Sequence, residues 1–353
     1  MFTDGRYEQL LILTFGADLE FYERVLRRHF GHYRNQIVLA DGRQLDRTIS
    51  AGVQSLKHLN RSWLAGPIRT LHTAHAKAIL LAGPEAGLLL VGSGNLNSSG
   101  YAGAGECFTP YRWSPDQPDD LAAFTRLRDL TDGLNRRGCL DTITSQRLAV
   151  FWSAYDWWHT TPTVDGPVRH NLEIPLGDQF VAAVGDEHVQ RLTVLAPFHD
   201  PHCAALNRLV QRLRPQDLRV LVQPGHCSID SHQLNTVLSA HNGHAYAVTT
   251  ADDHDSYLHA KIITAVTEQR AICLTGSANS SMVALWSPYP NANIELGNLT
   301  SGAPDAFDHL LDPGVVRISG PVDINALGVS IRDDDIDPAE HAIACRNCVG
   351  QHR

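Results

Sequence analysis

Two short motifs that carry basic and amide side chains occur twice in the sequence. The first copy has His75 and Lys77 in the segment HAKAIL, followed by Ser93 and Asn95 in the segment GSGN. The same residue types recur 184 positions later as His259, Lys261, Ser277 and Asn279. Residues i and i+2 of an extended strand project from one face, so the histidine and lysine of each copy are predicted to face a common site.

This set of side chains suits the cleavage of a phosphodiester. One imidazole can attack phosphorus and form a covalent phosphohistidine, while the other protonates the leaving oxygen and then deprotonates the incoming water. The lysines and asparagines can hold the nonbridging oxygens, and the small residues beside them let backbone N–H groups approach an anion closely. The expected reaction uses no cofactor and no metal, and the residues alone leave open which histidine is the nucleophile.

An internal repeat predicts the elements that position the two motifs. Each copy has a buried strand, an amphipathic stretch and a second buried strand before its HxK motif. These segments are Leu10–Phe15, Asp18–His29 and Gln36–Ala40 in the first copy, and Leu192–Phe198, Ala204–Leu213 and Leu218–Pro224 in the second. The offset between the copies stays near 184 residues, which predicts two βαβ-rich units packed about a pseudo-twofold axis.

Two helices are predicted between the copies, at Leu121–Arg136 and Thr142–His159. The aromatic run Ala149–Trp158 either packs helices and halves together or offers a platform on which bases stack. We divide the chain into a first lobe at 1–159, a linker at 160–175, a second lobe at 176–330 and a final segment at 331–353. The final segment is a polar tail or the start of a further domain.

The doubled HxK and GSxN motifs resemble those of the phospholipase D superfamily from about Leu10 to Leu299. That superfamily includes lipid hydrolases, phosphatidyl transferases, endonucleases and tyrosyl-DNA phosphodiesterases. The resemblance implies an α/β fold, a duplicated α-β-α sandwich in which two pseudo-twofold-related lobes share one active site. It also favours His75 as the nucleophile and His259 as the general acid and base.

Each copy departs from the superfamily pattern at one position, where the pattern has an aspartate five residues after the lysine. Ala82 and Val266 occupy those positions here. Restriction-endonuclease-like and tyrosyl-DNA-phosphodiesterase-like members share the departure, so it favours nucleic acid over lipid as the substrate. In the superfamily an acidic residue downstream of GSxN orients each histidine, and the resemblance makes Glu106 and Glu295 the candidates. A buried carboxylate would select the tautomer of an imidazole and raise its basicity.

Composition narrows the cellular setting. The chain has 353 residues, of which 43% are apolar, and this composition predicts a packed core. The net charge of −9 argues against a generally basic surface, although it is compatible with a local basic groove. The N-terminal residues lack a signal-peptide pattern, no stretch is long and apolar enough to span a membrane, and the seven cysteines form no regular framework. We therefore expect a cytoplasmic protein without a membrane partner.

Three classes of function stay open at this point. The first is a metal-independent nuclease acting on DNA or RNA, for which the resemblance implies a helicase or translocase partner in bacterial defence against phage. The second is a phospholipid hydrolase or transferase, and the third is a catalytically silent scaffold that binds nucleic acid. One chain carries both half-sites, so a monomer and a homodimer are both compatible with activity.

A separate pattern lies near residue 353. Two cysteines in a C-x2-C motif have a histidine on each side, and these candidate zinc ligands are His341, Cys345, Cys348 and His352. Four such side chains can bind zinc tetrahedrally, although they are crowded within one short segment. The alternatives are a tail without metal and the start of a further domain.

Overall fold

Two mixed β-sheets with helices packed on them, one sheet from each copy of the repeat, form the frame of the protein. The computed structural model describes residues 5–30, 33–52, 56–103, 105–160, 165–251 and 256–324. The strands are β1 Gln9–Thr14, β2 Asn35–Asp41, β3 Leu64–Ile68, β4 Ala78–Ala82, β5 Gly87–Gly92, β6 Phe108–Trp113, β7 Val168–His170, β8 Arg191–Leu195, β9 Asp217–Val222, β10 Gly243–Thr250, β11 Ile262–Val266, β12 Ala271–Gly276, β13 Leu296–Gly302 and β14 Val316–Pro321. The α-helices are α1 Leu19–Arg24, α2 Gly42–Ser50, α3 Leu121–Arg136, α4 Thr142–Trp152, α5 Leu176–Val184, α6 Ala204–Leu213, α7 Ser231–Ala240 and α8 Met282–Leu285.

The two sheets repeat one strand order. The first sheet runs β3-β2-β1-β4-β5-β6, and the second runs β14-β10-β9-β8-β11-β12-β13-β7. In both sheets the first three strands of the repeat are parallel, and the next three pair in antiparallel fashion. The second sheet adds β14 and β7 at its two edges. The duplicated α/β architecture predicted from the repeat is therefore confirmed.

The central strands are buried on both faces, which explains their continuous apolar runs. In β4, Leu80 faces one core cluster while Ile79 and Leu81 face another on the opposite side of the sheet. Helices α3 and α4 cover the first of these faces with fully buried side chains, among them Phe124 and Phe151. Each such fully buried side chain contributes about 2 kcal/mol of transfer free energy.

Most of the predicted elements are confirmed with small changes at their ends. Helix α3 has the predicted bounds, and α6 begins and ends as predicted at Ala204 and Leu213. The second inter-lobe helix is shorter than predicted, because α4 ends at Trp152 and the chain turns so that the Trp158 ring lies 4.9 Å from the Trp152 ring. Trp152, Trp157 and Trp158 are all buried, so the aromatic run packs the interior and is not an exposed platform for bases.

Strand β7 lies inside the stretch predicted as a linker. Its three residues pair with β13, so this stretch extends the second sheet on the way from one lobe to the other. The residue that follows β7, Asn171, is 2% exposed and enters the site described below. No helix among the described residues is long and apolar enough to cross a membrane.

Candidate active site

Both HxK motifs lie at the same edge of their sheets. His75 and Lys77 immediately precede β4, whose first residue pairs with Leu13 near the carboxyl end of β1. His259 and Lys261 precede β11, whose first residue pairs with Leu195 at the carboxyl end of β8. The carboxyl ends of parallel strands form the usual ligand-binding edge of an open α/β sheet.

The GSxN motifs come to the same edge because β5 and β12 run back along β4 and β11. Each motif begins with the last residue of its strand, Gly92 or Gly276. A Cβ atom on Gly92 would lie 2.3 Å from the carbonyl oxygen of Cys107, and one on Gly276 would lie 2.5 Å from that of Leu296. Only glycine allows the neighbouring strand to pass this close, and Gly276 also has a φ of +137°.

The site residues predicted from the sequence are almost completely removed from solvent. The exposed fraction is at most 7% for the side chains of all ten, namely His75, Lys77, Ser93, Asn95, Glu106, His259, Lys261, Ser277, Asn279 and Glu295. Buried ionisable groups are costly unless they are paired, so the contacts among these residues decide their charge.

Each histidine is paired with a carboxylate from the other half of the chain. Nδ1 of His75 lies 3.1 Å from both carboxylate oxygens of Glu295, and Nδ1 of His259 lies 2.8 Å from Glu106. The hydroxyl of Ser277 donates to Glu295, and that of Ser93 donates to Glu106 at 2.5 Å. The structure therefore joins the four supporting residues into two reciprocal His–Glu–Ser groups, a pairing that the sequence did not specify.

Backbone contacts hold these groups in the same way on both sides. The His75 N–H donates to the carbonyl of Ile294, and the His259 N–H donates to that of Gly105. Ile294 and Gly105 are the residues directly before the two glutamates. The segment that carries each glutamate thus pairs with the HxK segment of the opposite lobe, which fixes the distance between carboxylate and imidazole.

Each lysine contacts the backbone of the histidine that lies two residues before it. The ammonium of Lys77 donates to the His75 carbonyl at 2.7 Å, and that of Lys261 donates to the His259 carbonyl at the same distance. The Lys77 ammonium is also 5.8 Å from the centre of the Phe15 ring. These contacts place two buried ammonium groups beside the two histidines, where a bound phosphate would compensate their positive charge.

Burial lowers the pKa of His75 below its ordinary 6.5, and the charge of Glu295, which pulls in the opposite direction, does not offset the effect. Burial alone would raise the pKa of Glu295, but the charge of His75, its hydrogen bond and the charge of Lys77 together lower it. The pKa of Glu106 is lowered in the same way, because the charge and hydrogen bond of His259 outweigh its burial. The surroundings therefore favour the ionised form of both carboxyls, and burial favours the neutral form of His75.

A comparison with solved structures identifies the architecture. The chain matches a mutant of yeast tyrosyl-DNA phosphodiesterase with a TM-score of 0.56 and 10% identity, over 84% of this chain and 83% of the other. It matches phosphatidylserine synthase of Haemophilus influenzae with a TM-score of 0.53 and 10% identity, over 98% of this chain and 89% of the other.

The chain has the phospholipase D fold. Neither a protein-family model nor the sequence of a curated protein matches it. The fold predicted from the doubled motifs is confirmed, and the two structural neighbours have duplicated domains like those seen here. At 10% identity the likeness concerns the fold, so the roles of individual residues rest on the geometry of this site.

The superfamily pattern has an aspartate at two positions where this chain has none, and both positions lie away from the His–Glu pairs. Ala82 is the last residue of β4 and is fully buried opposite Gln9, and Val266 ends β11 opposite Arg191. The Glu–His pairs thus orient the imidazoles without a carboxylate at either position.

Two residues outside the predicted set also position the site. Asp41 at the end of β2 accepts from the N–H of Ala74, and Gln223 after β9 accepts from the N–H of Leu258. These hydrogen bonds hold the residue before each of the two histidines. The repeat itself was the signal for them, since each lies at the carboxyl end of the second strand of its copy.

Asn171 and Asn293 are two further residues without a signal in the motifs. Both are 2% exposed and both bind the segment that carries Glu295. Among the described residues no group of three or more histidine, cysteine or acidic side chains could hold a metal ion. The candidate zinc ligands His341, Cys345, Cys348 and His352 lie outside the described residues.

Proposed function

We propose that the protein is a phosphodiesterase that cleaves nucleic acid through a covalent phosphohistidine. The observation that carries the proposal is the reciprocal pairing of His75 with Glu295 and of His259 with Glu106. Each carboxylate binds Nδ1, so Nε2 is the nitrogen through which each imidazole would act on a substrate. Two oriented imidazoles beside two buried lysines match what a two-step displacement at phosphorus requires.

In the first step, Nε2 of neutral His75 attacks phosphorus and forms an N–P bond. The bond from phosphorus to the leaving oxygen breaks, and its electron pair stays with that oxygen, which takes a proton from Nε2 of the His259 imidazolium. The first product, an alcohol, leaves, and the remaining phosphoryl group stays on His75. Glu295 stabilises the positive charge that develops on the attacking imidazole.

In the second step, water attacks the phosphorus and gives a proton to Nε2 of His259. The N–P bond breaks, its electron pair returns to His75, and a phosphate monoester leaves. The proton that His259 donated in the first step is thereby replaced. Lys77, Lys261, Asn95 and Asn279 supply the positive charge and N–H groups that hold the nonbridging oxygens in both steps.

Two observations favour nucleic acid over lipid as the substrate. Both positions of the superfamily aspartate are apolar here, a departure associated with the nuclease-like and tyrosyl-DNA-phosphodiesterase-like branches. One structural neighbour is also named as a tyrosyl-DNA phosphodiesterase. The net charge of −9 disfavours unaided binding to a polyanion, so we propose that a helicase or translocase of a bacterial defence system delivers the substrate.

Phospholipid hydrolysis or transfer is the second candidate, because the other neighbour is named as a phosphatidylserine synthase. The same phosphohistidine would then pass its phosphatidyl group to water or to an alcohol. The two candidates differ in the substrate that enters the site and share the two imidazoles.

The deciding experiment exposes the full chain to labelled single-stranded and double-stranded DNA and RNA, and in parallel to phosphatidylglycerol vesicles, all in excess EDTA. His75→Ala and His259→Ala are tested beside His232→Ala, which changes an exposed histidine on α7. We expect cleavage of a polynucleotide that both site variants abolish and His232→Ala retains. Cleavage of lipid alone would replace the nucleic-acid proposal with the second candidate, and binding without turnover of any substrate would favour a silent scaffold.

A further inference from the structure

The two His–Glu pairs differ in the groups around their carboxylates. Glu295 is fully buried and accepts from His75 with both oxygens, from the hydroxyl of Ser277, and from Nδ2 of Asn293 at 3.3 Å. Glu106 accepts from His259 and Ser93, and among the described residues no amide side chain donates to it. The pseudo-twofold symmetry is thus broken by one hydrogen bond to one carboxylate.

A second asparagine holds this extra donor in place. Nδ2 of Asn171 donates to the carbonyl of Asn293 at 2.7 Å, and its Oδ1 accepts from the N–H of Glu295 at 2.9 Å. The amide of Asn171 therefore spans both ends of the segment that carries Glu295. The Oδ1 atom of Asn293 accepts from the N–H of Thr73 at 3.4 Å, which orients its amide so that Nδ2 faces the carboxylate.

We propose that Asn293, held by Asn171, is a positioning residue that keeps His75 neutral with its proton on Nδ1, and so makes His75 the nucleophile of the pair. An N–H group donated to a carboxylate stabilises its negative charge and reduces its ability to bind a proton. Glu295 then stabilises a positive charge on the resting imidazole less well than it would without Asn293. Neutral His75 offers the lone pair of Nε2, which the first displacement requires.

The other groups around His75 mostly oppose its protonation. Burial disfavours a further positive charge in the site most strongly, and Lys77 and Lys261 add to that effect. Asp41 binds the N–H of Ala74, directly before His75, and two further backbone N–H groups stabilise its carboxylate. Glu295 favours protonation of His75 by direct contact, so a hydrogen-bond donor to Glu295 shifts the equilibrium between neutral and protonated His75.

The test measures the pKa of His75 directly by NMR titration of the full chain labelled in its histidines, with His75→Gln identifying the signal. We expect Asn293→Ala to raise this pKa by about one unit, a tenfold change in the protonated fraction at a given pH. Asn293→Asp, which replaces the donor by an acceptor of the same shape, should raise it further. If the alanine variant does not fold, Asn293→Ser removes the amide and leaves a smaller void.

Asn298→Ala is the matched control, since Asn298 is equally buried, lies three residues after Glu295 and binds Tyr111 and Thr275. This variant should lose stability without changing the pKa of His75. An unchanged or lowered pKa of His75 in Asn293→Ala and Asn293→Asp would overturn the inference.

Turnover of bis(p-nitrophenyl) phosphate is followed in the same variants, because the catalytic consequence rests on the proposed function. We expect the acid limb of the kcat/KM profile to move to higher pH by the same amount as the pKa of His75. A shifted pKa with no turnover in the wild-type chain would refute the proposed function and leave standing the effect of Asn293 on the protonation of His75. Turnover in the wild-type chain together with an unshifted pKa of His75 in the Asn293 variants would support the proposed function and overturn the role of Asn293.

Discussion

The Glu106 carboxylate lies 2.8 Å from Nδ1 of His259, although 153 residues separate the two along the chain. The related pair joins His75 to Glu295 across 220 residues. Each lobe therefore contributes the imidazole of one pair and the carboxylate of the other. The two lobes must be folded and docked before either pair exists, which ties the proposed chemistry to the native arrangement of the whole duplicated fold.

Replacing either carboxylate by an amide tests this exchange between lobes. Glu106→Gln and Glu295→Gln should each lower kcat by about 10²- to 10⁴-fold, because an amide carries no charge to stabilise an imidazolium and can select the wrong tautomer. The steady-state rate on the polynucleotide identified above is the measurement. Glu187→Gln, which changes a carboxylate that binds Arg270 and Thr267 and not a histidine, should retain wild-type activity. Equal losses in all three variants would contradict the assigned role.

The two histidines should behave differently when the leaving group is activated. With a p-nitrophenyl ester, departure needs no proton, so His259→Ala should still form the phosphohistidine and then accumulate it, because no base activates water. His75→Ala should form none. The covalent species is quantified by mass spectrometry after a rapid quench at high pH, where phosphohistidine is stable. Accumulation in His75→Ala instead would exchange the two roles.

The pH profile should reflect the neutral state of His75. Burial lowers the pKa of this imidazole below its ordinary 6.5, so the nucleophile loses activity only when the pH falls through that lowered value. We expect the acid limb of kcat/KM to lie below pH 6.5. A limb above pH 6.5, measured with a substrate whose own charge is constant in this range, would mean that Glu295 outweighs burial.

A buried histidine outside the pairs should make the fold sensitive to acid. Burial lowers the pKa of His199 from 6.5 to about 4, so the unfolded chain binds a proton at this residue before the folded chain does. Stability is unaffected above pH 6.5 and falls as the pH drops toward 4, by up to about 3 kcal/mol. His199→Leu should flatten urea midpoints measured across this range, while His232→Leu, at an exposed position, should leave their slope unchanged.

The close approach at Gly276 predicts a structural cost for a single methyl group. Gly276→Ala places a Cβ atom 2.5 Å from the Leu296 carbonyl in a backbone with a φ of +137°, and it should destabilise the fold by about 1–3 kcal/mol. Gly320→Ala, where a Cβ atom meets nothing within 4 Å, serves as the control in the same denaturation series. Equal stability of the two variants would show that β12 and β13 can separate at little cost.

The duplication, the fold class and the candidate site residues all followed from the amino-acid sequence. A repeat of 184 residues with apolar runs of strand length predicted two sheets of one design, because each copy must bury the same faces. The spacing of HxK and GSxN placed basic and amide side chains at the ends of strands. These features are local or periodic, and they can be read without knowledge of contacts between the lobes.

The pairing of each carboxylate with its histidine follows from the docking of the lobes and not from the motifs. Glu106 and Glu295 follow their own GSxN motifs, but the bond to an imidazole depends on how one lobe docks on the other. The contribution of Asn171 has the same origin, since it reaches Glu295 through a strand of the inter-lobe stretch. The aromatic run after Ala149 shows the same limit, because its composition allowed both an exposed platform and a packed core. The docking of α3 and α4 on the first sheet buries it.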